Sequence, residues 1–432
     1  MLIQIFSEQN STRLEYTLDL VFNRLLGHQF QQIFKPEAID FSQPILNYSK
    51  QEIKGSIQMK PHDLLFEDDI KVFNVEVGEN GKFFETGSSD FSNDLFSMIF
   101  YMASRYEEYN SKLTDKHGRY LASESLAFRQ NWLKKAYVHR WADDIKTILL
   151  TKYPNINFEK RSYRFINTID IDNAFAYKAK GVKRLWGGLL KSIIRKDKDD
   201  IKHRIKYIFT GAKDPFDVYD ELESWLLRYK AETYYFFLVG ENGLYDKNIS
   251  IARKAYRAII NRLKRSAIIG LHPSYQSNAS IDILKKEKGS LSDVVAYEIT
   301  ESRQHFLKLY WPTTYRNLIE SGIKKDFTLG YAETVGFRSG ICIPYPFFDL
   351  TTNTSTNLIL YPFQIMDGTL NDYMHLTPDE AKATIKYIYD EVKSVGGMFI
   401  TLWHNESLSE MRQWKNWKDV YLYLLKLATQ QQ

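Results

Sequence analysis

From about residue 160 onward, short apolar runs rich in β-branched and aromatic residues alternate with longer amphipathic stretches. The runs are YRFINTI (163–169), TYYFFLV (233–239), AIIGL (267–271), DFTLGY (326–331), LILYPFQIM (358–366) and MFITLW (398–403). Between them the apolar spacing becomes helical. DVYDELESWLLRYKA predicts a helix before the second strand, and SIARKAYRAIINRLKR predicts one before the third. Such alternation predicts β/α units around a largely parallel sheet. Thr377, Pro378, Asp379 and Glu380 mark one helix start, with a capping threonine, a proline at the first helical position and a glutamate placed to close a capping box. That helix runs to about Val395 and ends at Gly396 and Gly397.

Residues 1 to about 155 carry a mixed pattern. LEYTLDLVFNRLLG predicts an early helix and DIKVFNV a strand-like piece. NDLFSMIFYMASRYEEY predicts one long helix with Leu95, Ile99 and Met102 on its buried stripe. The run Glu67, Asp68, Asp69 is expected as a solvated turn. The change of texture predicts two domains, residues 1–155 and 160–432, which suits a chain of 432 residues.

Composition narrows the function classes. The chain has 29 Tyr, 27 Phe and 8 Trp, enough to line a cleft as well as a core. A net charge of +5 is mild for this length and gives no reason to expect nucleic acid. The single cysteine, Cys342, excludes an intrachain disulfide and a thiolate metal cluster, and fits a reducing compartment. No window offers the roughly 18 apolar residues of a membrane span. The opening MLIQIFSEQNSTRLEY lacks a basic leader and breaks its apolar run at Ser7, so a cytoplasmic protein is expected. In the basic stretch 178–208, Trp186, Leu189, Leu190, Ile193 and Ile194 interleave with Lys and Arg. It is expected as an exposed helical insertion after the first strand, in preference to a membrane-surface helix.

Candidate chemistry collects at strand ends. Asp170 and Asp172 follow the first predicted strand, His272 the third, Asp367 the LILYPFQIM strand and His404 the last. Parallel β/α proteins open their functional face at those ends. Residues i and i+2 of a strand project to one side, so Asp170 and Asp172 enter one cavity and require positive charge between them. A divalent ion with His272 as a further ligand supplies that charge and lowers the pKa of a bound water toward neutrality. A free carboxylate then serves as base and an opposing histidine as acid. His28, His62, His117, His139, His203 and His375 sit among polar residues and are expected on the surface.

These motifs, in this order, resemble those of the NodB-like polysaccharide deacetylases. Thr168, Asp170 and Asp172 are similar to the family's opening Thr-x-Asp-Asp type motif, which implies that Asp170 is the general base and Asp172 a metal ligand. GLHPSYQSN resembles the second motif and implies that His272 is a ligand, but the family's second histidine is missing. Either His305, in ESRQHFLKLYW, or Asn278 is implied in its place, and His305 is preferred because imidazole better suits zinc-like ions. GFRSGICIPYPFFDL resembles the arginine motif, implying that Arg338 holds Asp170. Leu402, Trp403 and His404 resemble the closing Leu-x-His motif, implying that His404 protonates the leaving group, with Asp367 as its partner.

The resemblance spans roughly residues 160–430. It implies an incomplete (β/α)7-type barrel preceded by a smaller α+β accessory domain. It further implies a zinc ion, with cobalt, nickel or manganese as alternatives, and removal of N- or O-linked acetyl groups from a carbohydrate. Two other readings stay open. A metal-dependent glycosyltransferase using Asp-x-Asp leaves His272 and His404 without roles. A non-catalytic carbohydrate-binding relative is favoured by the missing second histidine.

Overall fold

Four short strands open the chain in the computed structural model, which describes residues 1–73, 75–78 and 81–430. They are β1 (Ile3–Phe6), β2 (Phe30–Ile33), β3 (Ile45–Asn47) and β4 (Ile57–Gln58), all paired in parallel in the order β2-β1-β3-β4. Nine further strands form a second sheet. They are β5 (Arg164–Ile171), β6 (Glu232–Leu238), β7 (Ile268–His272), β8 (Glu301–Ser302), β9 (Lys325–Asp326), β10 (Tyr345–Asp349), β11 (Thr354–Leu360), β12 (Ile365–Met366) and β13 (Met398–His404). Their order is β10-β11-β9-β8-β7-β6-β5-β13-β12, and every pairing except β10 with β11 is parallel. The mixed α/β architecture with a mainly parallel sheet follows the sequence pattern.

Strands β11 and β12 belong to one run, residues 354–366, that serves both flanks of this sheet. Its first part pairs with β9, and beyond the strand Tyr361 donates to Asp326 O (2.8 Å) and Phe363 to Leu329 O (3.1 Å). Its last part pairs with β13.

The central strands are buried on both faces, and their side chains sort by parity into two clusters. Ile166, Tyr234, Phe236, Phe327, Phe363 and Ile400 form a smaller, inner cluster on one face of the strands. Phe165, Tyr235, Phe237, Ile269, Phe399 and Trp403 belong to the large outer core beneath the helices. Gly270 lies on the inner side of β7, where an added Cβ would stand 2.5 Å from the Phe236 ring. Only glycine admits that ring.

Several expected elements differ in extent. DFTLGY contributes only Asp326 to β9, and beyond it the Asp326 carboxylate accepts the Thr328 N–H. LILYPFQIM is divided at Pro362, which has no N–H for a ladder. DIKVFNV forms no strand among its described residues, and its Asn74 lies outside them. The helix predicted over 93–109 breaks in two, Leu95–Ala103 and Tyr106–Asn110, at Arg105, whose φ is 54°. The capping box at Thr377 and Glu380 forms as the sequence predicts. Among the described residues, no helix is long and apolar enough to cross a membrane.

The break at Arg105 serves a buried charge cluster. Arg105 Nε donates to Glu108 Oε1 (2.8 Å), and Arg338 grips the same carboxylate through Nε (2.9 Å) and Nη2 (2.6 Å). Arg338 is therefore not beside Asp170, which corrects the role implied for it by the GFRSG motif. It ties the N-terminal region to the larger sheet. Tyr16 reinforces the junction, with its ring 5.0 Å from that of Phe348 and its hydroxyl donating to Pro346 O. Two expected surface histidines are also inside. His139 is fully buried and accepts the Cys342 N–H at Nε2 (3.1 Å), and His117 packs against Phe306 and Tyr275.

Removing Glu108 leaves two buried guanidinium groups without their shared counter-charge. Glu108→Ala is expected to cost about 3–5 kcal/mol of stability, measured by denaturant unfolding.

Candidate metal centre

Inner-facing positions at the upper ends of the strands carry the candidate chemistry. Asp170 lies in register with His404 across the β5–β13 pairing. One same-face step further along, Asp172 rises to the level of His272, which pairs with Leu238 on β6. The period of two that buries Ile166 thus also delivers Asp170 and Asp172 to one cavity.

Three groups converge there. His272 Nε2 stands 3.1 Å from Asp172 Oδ1, and His305 Nε2 stands 3.3 Å from Asp172 Oδ2. Candidate ligand atoms of Asp172, His272 and His305 all lie within 4.8 Å of one another. His305 stands in this cluster, whereas Asn278 bonds to Lys308 O and Thr314 Oγ1 elsewhere.

The far sides of both rings are fixed. His272 Nδ1 lies 2.6 Å from Arg303 O, a carbonyl that only accepts, so Nδ1 carries the proton. His305 Nδ1 lies 2.8 Å from Asp246 Oδ1, which orients it in the same sense. In the neutral tautomers both Nε2 lone pairs then point at carboxylate oxygens, an arrangement that requires a cation between them. Asp172 Oδ1 is buried and receives no hydrogen bond. Two imidazole nitrogens and a carboxylate oxygen suit zinc and similar divalent ions. The residues fit such an ion.

Without an ion, a proton competes for the same space. Burial disfavours the His305 imidazolium, but Asp172 and Asp246 outweigh it and raise its pKa to about 9.

Asp170 is met from the other side by Arg303, whose Nη1 donates to Oδ1 at 3.0 Å and also to Thr168 Oγ1. Arg303 is fully buried within the inner cluster, its guanidinium 4.8 Å from the centre of the Phe236 ring. It occupies the place the sequence reading gave to Arg338. Asp367 accepts both His404 Nδ1–H (2.8 Å) and the His404 backbone N–H (2.7 Å). Burial alone would lower the His404 pKa, but Asp367, with Asp172 and Asp170 behind it, holds it well above the ordinary histidine value.

These groups open into a cavity of about 200 Å³ whose walls include Phe306, Tyr373, Trp414 and Arg119. Arg119 comes from the N-terminal region and donates to Phe306 O (2.9 Å) and Tyr373 Oη (3.1 Å). The sequence reading missed Arg303, Asp246 and Arg119. Arg303 stands two residues before His305 and just past β8, a strand too short to show alternation. Asp246 and Arg119 lie on loops that carry no periodic signal.

A family profile described as "Family of unknown function (DUF7033)" matches residues 3–154. No curated protein matches the chain. Among solved structures, the chain is similar to PuuE allantoinase at 10% identity, covering 63% of this chain and 86% of that one, with a TM-score of 0.39. It is similar to the polysaccharide deacetylase Bc1974 from Bacillus cereus at 11% identity, 62% and 86% coverage, and a TM-score of 0.28. It is also similar to the peptidoglycan deacetylase PdaC from Bacillus subtilis at 11% identity, 63% and 85% coverage, and a TM-score of 0.26.

Because a proton on His305 competes with the ion, zinc affinity is expected to fall as pH drops below about 9, by up to about tenfold per pH unit. Asp246→Asn is expected to weaken zinc binding by about 10- to 100-fold. Calorimetric titration across pH measures both effects.

Proposed function

We propose that the chain is a divergent, metal-dependent deacetylase of the NodB-like kind that removes acetyl groups from a carbohydrate. The observation that carries this reading is the pair of fixed histidines, His272 and His305, whose Nε2 atoms face the Asp172 oxygens beside a separately held Asp170. In this reading residues 160–432 form an incomplete (β/α)7-type barrel, with residues 1–155 as an accessory α+β domain. The run 354–366, shared between β9 and β13, and the inner cluster support the barrel.

Asp172, His272 and His305 would hold the ion, with zinc favoured by the donor set. When bound, it supplies a Lewis acid that polarises the acetyl carbonyl and activates water near neutral pH. Asp170, oriented by Arg303, accepts the proton of the attacking water. His404, kept protonated by Asp367, donates a proton to the departing sugar nitrogen or oxygen. The two roles fall to different carboxylates because their partners differ. Phe306, Tyr373 and Trp414 offer aromatic faces on which a sugar ring stacks.

In this reading His305 takes the ligand position that the missing second histidine left open, and its place beside Asp172 favours the deacetylase over a non-catalytic relative. His272 and His404 both gain roles that a glycosyltransferase would not give them.

Zinc-loaded protein is expected to release acetate from acetylated oligosaccharides, and chelation to stop it. Asp170→Asn is expected to reduce kcat by at least about 100-fold while retaining zinc. Full acetate release by that variant would overturn the assignment of the base. Asp367→Asn removes the charge that raises the His404 pKa, so the alkaline limb of the kcat profile is expected to move to lower pH. A pH–rate series on the zinc-loaded variant measures the shift.

A further inference from the structure

Between β5 and β6 the chain makes an antiparallel pair of helices, Val182–Ile194 and Lys198–Thr210. Their contact line is polar and tight. Ser192 Oγ donates to Asp200 Oδ2, and Arg204 donates to Leu185 O (3.2 Å) while its guanidinium lies where a Gly188 Cβ would be.

Apolar residues that would ordinarily fill such a contact lie outside it. On the first helix Val182, Trp186, Leu190, Ile193 and Ile194 form one stripe and are 48–72% exposed. On the second, Ile205 and Phe209, one turn apart, are 42% and 71% exposed. Each stripe is rotated from its contact line by about a third of a turn in the chain's own sense. In an antiparallel pair, equal rotations in that sense bring both stripes to the same side. Helix hairpins in water normally bury such a face.

Charge identifies what covers it. Residues 178–210 hold 11 Lys and Arg against three Asp, a net of +8 in a chain whose total is +5. The rest of the molecule is slightly acidic. The three aspartates are all engaged, Asp197 with Arg412 (2.8 Å), Asp199 with Lys415 (3.3 Å) and Asp200 with Arg204 (3.0 Å). Exposed Lys183, Lys191, Arg195, Lys198, Lys202 and Lys206 enter no ion pair among the described residues. An apolar stripe bordered by unpaired cations suits the headgroup region of an anionic bilayer. There the apolar side chains enter the acyl boundary, the long basic side chains reach phosphate, and tryptophan sits at the interface. A second copy of this chain is a poor occupant, because it would set two faces of +8 against each other.

We infer that the 182–210 hairpin docks the protein on a membrane surface of anionic phospholipid. Docking does not depend on the reaction proposed above, so its test needs no substrate.

Zinc-loaded, full-length protein is expected to sediment with vesicles of phosphatidylcholine and phosphatidylglycerol but not with vesicles of phosphatidylcholine alone. Added salt should weaken the binding. The triple variant Trp186→Ala, Leu190→Ser, Ile194→Ser and the charge-reversal pair Lys191→Glu, Lys202→Glu are each expected to reduce binding by about tenfold or more. Both should keep the parent's thermal unfolding profile, since every substituted residue is exposed. Failure of the parent protein to sediment with anionic vesicles would overturn the inference, as would undiminished binding by both variants. So would a dimer in sedimentation velocity that the triple variant abolishes.

Discussion

A carboxylate taken out of water must be met by positive charge or by donors, and Glu108, Asp170 and Asp367 each meet a different partner. Glu108 is held by Arg105 and Arg338, Asp170 by Arg303, and Asp367 by His404. Asp172 is the exception. Its neighbours are two imidazole nitrogens whose opposite ring positions are already committed to Arg303 O and Asp246. A guanidinium fixes a carboxylate permanently, whereas a pair of imidazole lone pairs leaves room for an exchangeable cation. That difference of partner separates Asp170 from Asp172, two side chains that strand geometry makes otherwise equivalent.

Strand-end chemistry was legible in the sequence because a period of two is a strong signal in buried strands. Asp170, Asp172, His272 and His404 all stand where that period places them, on the inner face beyond Ile166, Gly270 and Ile400. The arginine was misplaced for a physical reason. Arg303 follows a strand of only two residues, where alternation has no length in which to show, while Arg338 sits in a motif-like loop but spends its charge on Glu108. Partners from loops left no trace in periodicity. Asp246 acts through His305, 59 residues away, and only the folded chain brings them together. The helix expected over 93–109 read correctly as apolar and helical, but no local propensity announces that Arg105 must turn back to reach Glu108.

The N-terminal region is more than a neighbour of the site. Its core is continuous with the helical layer outside the larger sheet, through Tyr16, Phe100 and Phe348. Glu108 closes the charge cluster on Arg338, and Arg119 reaches the cavity wall, where it braces both Phe306 and Tyr373. His305 directly precedes Phe306, so bracing by Arg119 acts one residue from an imidazole of the candidate metal centre. Loss of this region would therefore remove part of the cavity as well as its support.

The hairpin between β5 and β6 is joined to the same cavity by covalent and ionic links. It follows Asp172 by ten residues, and its aspartates Asp197 and Asp199 are held by Arg412 and Lys415, which flank the cavity-wall residue Trp414. These pairs turn two of the hairpin's three acidic side chains toward the body of the protein, and Asp200 is paired with Arg204 inside the hairpin, so the outward face keeps its positive charge. The same pairs anchor the hairpin beside the wall that carries Trp414. A hairpin attached at both its chain end and its salt bridges cannot lie on a surface without fixing the direction in which the cavity opens. Orientation of the site relative to a docked surface is thus set by Asp197, Asp199 and the loop that bears Trp414, and not by the apolar stripe alone.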